Sequence, residues 1–191
     1  MFTSSFRKRS DEDLMRLISQ GEGKALTELY LRYNKSMIRY FYRMLWKDDN
    51  KAQDFLHDLF VRIIERPETF NPERKFSTWI YSVAHNMCKN EYRKENFRAS
   101  VAHKFQSNGV FEHAIDREID HALFRKTIDK AMEGWNEDDR TLFVLRQELE
   151  MSVPEIAAVL SLPEGTVKSR WFYLRKALAL QFHGFQTTLN N

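Results

Sequence analysis

Apolar side chains recur along this chain at helical spacing. Between Ala25 and Trp46 the residues Leu26, Leu29, Tyr30, Tyr33, Met37, Phe41 and Leu45 mark one continuous stripe, which predicts a long amphipathic helix. Asp48-Asp49-Asn50 interrupts it. Ala52, Phe55, Leu59, Phe60 and Ile63 define the next helix, closed by Pro67. Ahead of both, Ser10 and Asp13 predict a capped helix through Ser19 that stops at Gly21. A polar loop with Asn71-Pro72 precedes a helix from Ser77 to about Arg98, whose core face holds Trp79, Ile80, Val83, Ala84 and Met87. That arc leaves Tyr81, His85, Lys89 and Tyr92 on its outer face. Ala99 to Asp116 is less periodic, contains Gln106-Ser107-Asn108-Gly109, and reads as a linker. Helices resume near Arg117, with Phe124, Ile128, Ala131 and Trp135 on one side, and Asn136 caps another that carries Leu142, Leu145 and Leu149. No strand alternation and no repeat stands out. The expected fold is all-α: two small helical domains, 1–98 and 117–191, joined by a linker over 99–116.

Met151 to Leu178 is the most specific stretch. Ser152 and Glu155 stand at capping-box spacing, Met151 and Ile156 where a hydrophobic staple sits, and Pro154 in the first turn. Val153, Ile156, Ala157 and Leu160 give this helix one buried face, and Ser161-Leu162-Pro163 ends it. A second helix follows, with Val167, Trp171, Leu174 and Leu178 inward. Lys168, Ser169, Arg170, Tyr173, Arg175 and Lys176 lie on its other side. A short capped helix, a tight turn and a basic second helix form a helix-turn-helix of the DNA-reading kind.

Charge sharpens that reading. The chain of 191 residues has a formal charge of only +3, so nucleic-acid contact has to come from local patches. Residues 99–191 hold 11 Lys and Arg against 13 Asp and Glu, a balance of −2, yet Glu164 to Phe185 sets four cations against Glu164 alone. Basic charge is thus concentrated on the second helix within an acidic surround. The one cysteine, Cys88, excludes an internal disulfide and fits a reducing compartment. Met1 to Arg9 lacks the apolar core of a signal peptide, and no apolar run approaches the ~20 residues of a spanning helix, so a cytoplasmic location without membrane insertion is expected. His85 and Cys88 stand three apart without a second pair, which argues against zinc. No glycine-rich phosphate loop and no evident catalytic carboxylate pair occurs. Neither enzymatic activity nor a cofactor is expected.

A second patch lies around residues 74–94. Arg74, Lys75, Phe76 and Ser77 lead into the helix bearing Tyr81, His85, Lys89, Tyr92 and Arg93. Cations interleaved with aromatics suit a single nucleic-acid strand, because bases stack on rings while Lys and Arg hold phosphates. The plainer reading is that the tyrosines cover the core edge and the charges solvate a face.

These motifs together resemble bacterial sigma factors of the small, two-domain extracytoplasmic-function class, over about residues 11 to 180. Ala52-Gln53-Asp54-Phe55-Leu56-His57-Asp58-Leu59-Phe60-Val61-Arg62 resembles the family's polymerase-binding helix. Phe76-Ser77-Thr78-Trp79-Ile80-Tyr81-Ser82-Val83-Ala84-His85-Asn86 resembles its promoter-melting helix, and Gly165-Thr166-Val167-Lys168-Ser169-Arg170 the start of its upstream recognition helix. The resemblance implies a non-catalytic initiation factor that binds core RNA polymerase, with the first domain on the clamp of the largest subunit and the second on the flap of the second-largest. It assigns the clamp contact to Asp54, His57, Asp58 and Arg62. It assigns the −10 element to Arg74, Lys75, Phe76, Ser77, Tyr81, His85, Lys89, Tyr92 and Arg93. The −35 element falls to Glu164, Thr166, Lys168, Ser169, Arg170, Tyr173, Arg175 and Lys176. Promoter DNA and an anti-sigma factor, often membrane-anchored in this family, are the implied further partners. His57, Trp171 and Tyr173 depart from the family pattern. A stand-alone helix-turn-helix regulator and an RNA-binding adaptor are the rival readings.

Overall fold

A computed structural model of the chain describes residues 4–102, 128–132 and 134–189. Its helices are α1 (Ser4–Arg7), α2 (Asp11–Ser19), α3 (Gly23–Met44), α4 (Asp49–Glu65), α5 (Phe76–Ala102), α6 (Glu137–Phe143), α7 (Val153–Leu160) and α8 (Glu164–Leu189). A 3₁₀ turn spans Pro67–Thr69, a π turn spans Val144–Glu148, and residues 128–132 are helical; no strand occurs among the described residues.

Local chemistry sets the helix starts. Ser10 Oγ accepts from the Asp13 N–H at 3.1 Å, Asp48 Oδ1 from Lys51 N–H at 3.0 Å, and Asn136 Oδ1 from Asp139 N–H at 2.9 Å. Each satisfies a donor that the first helical turn leaves free. The end of α2 is a Schellman motif. Gly21, at φ +87°, donates to the Ile18 carbonyl at 2.9 Å, and Glu22 donates to Leu17 at 3.0 Å. The predicted stop at Gly21 therefore has a mechanism. α5 runs on to Ala102, past the expected end near Arg98 and into the expected linker. The rest of that linker, and the helix expected from Arg117 as far as residue 127, lie outside the described residues.

α3 packs along α4 and beneath α2, while α5 meets α3 on one side and α7 on another. Tyr40, Phe41, Leu29, Met37 and Phe76 are fully buried there. Loss of a ring such as Phe76 would cost about 3–5 kcal/mol. Tyr30, placed on the predicted stripe, is 43% exposed, with its ring edge against Phe60. One apolar cluster extends from Leu14 through Ile80 and Leu142 to Leu178, so the N- and C-terminal halves share a core. A polar seam follows it. Tyr40 Oη is 3.3 Å from Thr141 Oγ1, which lies 3.1 Å from His85 Nδ1.

Candidate polymerase and promoter interfaces

Along α4, Leu56, Leu59, Phe60 and Ile63 turn inward, and the helical repeat carries the intervening polar residues out. Asp54, His57, Asp58 and Arg62 are all exposed, forming one ridge as the sequence predicts. Behind the C-terminal end of α4, a cavity of about 460 Å³ opens against α5, lined by Arg62, Ile63, Glu65, Arg66, Thr69, Trp79 and Val83.

The approach to α5 is a shaped loop. Asn71 Oδ1 accepts from the Glu73 N–H at 2.9 Å, and Glu12 Oε1 accepts from the Phe76 N–H at 2.9 Å, pinning the loop to α2. Arg74 and Lys75 are exposed and Ser77 is half-buried. A cavity of about 490 Å³ lies between Asp11, Glu12 and the Pro72–Lys75 segment, with Ser77 at its edge. Lys75 reaches Glu155 Oε1 at 2.9 Å, and this hydrogen bond raises the ammonium pKa. Phe76 is not a surface platform. It is wholly buried, with ring contacts to Tyr33, Phe70 and Trp79 at 5.2, 5.6 and 5.6 Å.

The outer face predicted for α5 needs correction. Tyr81, His85 and Tyr92 are 5%, 3% and 5% exposed, and Lys89 is half-buried. The reason is that α5 buries two arcs instead of one. Ile80, Ala84 and Met87 enter the core of the N-terminal half, while Tyr81, His85, Cys88 and Tyr92 turn toward α3 and the C-terminal half. Tyr81 meets Tyr40 edge-on at 5.6 Å, and the Tyr92 hydroxyl donates to the Met44 carbonyl. Burial pushes the Tyr92 phenol up to about 12. Burial likewise pushes His85 below its ordinary value, opposed by the nearby Asp138 carboxylate. The exposed residues of α5 include Asn86, Asn90 and Arg93, at i, i+4, i+7, with Lys94 beside them. Arg93 was expected; the two asparagines were not. Their amides match the edge of adenine.

On α8, Glu164, Lys168, Ser169, Tyr173, Arg175 and Lys176 are exposed and Thr166 is half-buried. Glu164 and Lys168 form a loose pair at 3.7 Å. Arg170 departs from this face: its guanidinium turns to Asp138 at 3.3 Å and Asp139 at 3.6 Å. Trp171 packs inward, its ring 6.2 Å from Phe143, as its bulk predicts. Phe172, passed over in the sequence, is 58% exposed one turn beyond Lys168, with its ring 5.5 Å from Tyr173. α7 presents α8 through the predicted capping box, in which Ser152 N–H donates to Glu155 Oε2 at 2.9 Å and Glu155 N–H to Ser152 Oγ at 3.5 Å. Among the described residues no three His, Cys, Asp or Glu groups converge as a metal site, and no helix is long and apolar enough to cross a membrane.

Known proteins share this arrangement. Residues 29–98 match Sigma-70 region 2, and residues 125–178 match Sigma-70, region 4. The chain is 28% identical over 185 residues to the RNA polymerase sigma-H factor of Pseudomonas aeruginosa, covering 90% of this chain and 93% of that protein. It is 28% identical over 179 residues to the ECF RNA polymerase sigma-E factor of Escherichia coli, covering 88% and 92%. The fold is similar to that of CnrH in complex with the cytosolic domain of CnrY, with a TM-score of 0.69 at 21% identity over 92% of this chain and 99% of that one. It is also similar to the sigma factor RpoE from Bartonella quintana, in complex with the anti-sigma factor NepR, with a TM-score of 0.64 at 20% identity over 82% and 97%. The chain belongs to the sigma-70 family of RNA polymerase sigma factors. Within that family it is of the extracytoplasmic-function class, a promoter-recognising factor that binds RNA polymerase.

Proposed function

We propose that this sigma factor divides its work among three surfaces. The exposed ridge of Asp54, His57, Asp58 and Arg62 on α4 docks on the polymerase clamp, and the C-terminal half docks on the flap. The loop at Arg74 and Lys75, its adjoining cavity and the outward line of Asn86, Asn90 and Arg93 take the −10 element. The cavity suits a base extruded from the opened duplex, and the asparagines suit adenine edges. The face of α8 enters the major groove at the −35 element, where Lys168, Arg175 and Lys176 meet phosphates or guanine and Phe172 meets a thymine methyl. Polymerase holds the two halves at a set separation, so two modest DNA contacts act with high effective concentration. The factor has no catalytic chemistry of its own, works in the cytoplasm, and is held in check by an anti-sigma protein.

The observation that carries this reading is the pairing, on one chain, of an outward acidic–basic ridge on α4 with an outward basic face on α8. The test is binding to core RNA polymerase, followed by transcription from a pool of random promoters. Asp54→Ala with Asp58→Ala is expected to weaken polymerase binding by roughly tenfold or more while leaving helicity intact, as loss of interface charge pairs does. Intact polymerase binding in that variant would remove the clamp assignment. No polymerase binding by the wild-type chain, with tight binding to a palindromic duplex, would mean a conventional regulator.

A further inference from the structure

Three cations stand in a row ahead of α2, Arg7, Lys8 and Arg9, and all three are exposed. They precede the Sigma-70 region 2 match and have no part in the surfaces assigned above. A short run of exposed cations is ordinarily a solvated stretch. What sets this one apart is the way its backbone is held. Arg32 on α3 uses all five guanidinium N–H donors, and three of them reach carbonyls of this segment. Nη2 donates to Phe6 and Arg7 at 3.1 Å each, and Nη1 donates to Arg9 at 3.0 Å. The other two go to Asp11 Oδ1 at 2.5 Å and Glu28 Oε1 at 3.0 Å. Phe6 packs against the core beneath. Four positive groups are thereby gathered in one place against their mutual repulsion.

The neighbouring acids do not neutralise this arm. Asp11 faces Arg32 and the Tyr33 hydroxyl, Asp13 pairs with Arg16, and Glu12 accepts from the Phe76 N–H. Among the described residues, no carboxylate forms an ion pair with Arg7, Lys8 or Arg9. Position adds to the case. Arg9 stands two residues before Asp11, so their backbones are within about 7 Å. Asp11 and Glu12 wall the cavity of about 490 Å³, and Arg74 and Lys75 line it from the other side. A strand that places a base in this cavity therefore meets cations on both sides, the arrangement that single-strand sites use. A strand leaving along α5 already has Asn86, Asn90 and Arg93. The arm serves the exit on the α2 side.

We propose that Arg7, Lys8 and Arg9 form a phosphate-binding arm, which takes the backbone of the opened DNA strand where it leaves the cavity toward the start site. The Arg32 clasp holds only the carbonyls and leaves the three side chains for the strand. These contacts carry no base preference, since phosphates are alike in every sequence. The inference rests on the assignment of the loop and cavity to the −10 element.

The test uses the full chain on core RNA polymerase, with forked DNA built from promoters selected out of the random pool. One fork stops its single strand within the −10 element; the other extends it several nucleotides toward the start site. Fluorescence anisotropy reads the affinity of each over a range of salt. Arg7→Gln, Lys8→Gln and Arg9→Gln together remove the charges and keep every carbonyl that Arg32 holds, so helicity should be unchanged. On the longer fork the triple variant should flatten the log–log salt slope by about 2, three phosphates at roughly 0.7 each. Its affinity there should fall about tenfold or more in low salt, while the shorter fork is bound as by the wild type. Equal slopes on the longer fork would overturn the arm, as would an equal loss on both forks. If the wild-type chain does not bind core polymerase, the sigma assignment fails by itself. The arm is then judged on a free random-sequence strand of about 12 nucleotides. The same flattening in the triple variant would keep it, and matching slopes would remove it.

Discussion

His85 sits where its protonation state bears on folding. Burial lowers its pKa below 6.5, Asp138 opposes that shift, Lys89 adds to it, and Glu137 opposes it. The folded chain therefore favours the neutral ring. Once pH falls below about 6.5 the unfolded chain binds more protons at this site, and stability declines with falling pH. The expected result is a urea midpoint that drops from pH 7 to pH 5, with a smaller drop in His85→Asn; equal slopes would remove His85 as the cause. Glu155 adds a second loss of stability at lower pH. Hydrogen bonds from Ser152 and Lys75 lower its pKa to about 2. Its contribution is complete above its ordinary value near 4.5 and disappears as pH falls through about 2, so the cap of α7 outlasts most acid conditions.

The turn between α7 and α8 carries a built-in cost. Ser161 holds φ +55°, and Leu162 N–H donates back to the Ala157 carbonyl at 2.9 Å, a Schellman end without its customary glycine. Ser161→Gly should raise stability by roughly 0.5–1 kcal/mol, since a Cβ in the left-handed region is disfavoured. An unchanged denaturant midpoint would show that the serine is not strained there. Such turns and caps were legible in the sequence because each spans only three to five residues: Ser10, Asn136 and Ser152 cap where their spacing predicts. The exposed ridge of α4 was legible because its apolar residues keep to one arc of a single helix. The faces of α5 were not. Its apolar residues cover more than one arc, and a tyrosine serves equally as a core edge or a stacking platform, so periodicity alone could not say that Tyr81 and Tyr92 turn inward. Asn86 and Asn90 were overlooked because uncharged amides raise no charge signal.

The contact between the halves leaves no local trace in the sequence at all. Tyr40 and Thr141 are about a hundred positions apart, and nothing near either one predicts the other. Two domains were legible; their shared core was not. The packing of α5 also isolates the one thiol. Cys88 lies on the same line of α5 as Tyr81, His85 and Tyr92, fully buried, with burial holding the thiol protonated. A thiol reagent reaches it only when α5 parts from the elements packed on it, so under fast labelling the modification rate equals the opening rate. Thr141→Val should shorten the labelling half-life while Glu150→Gln leaves it unchanged, and identical half-lives would mean that Cys88 is released by some other motion. A residue with no evident role in promoter recognition thus serves as the molecule's own stopwatch, needing no added probe to time how often it opens.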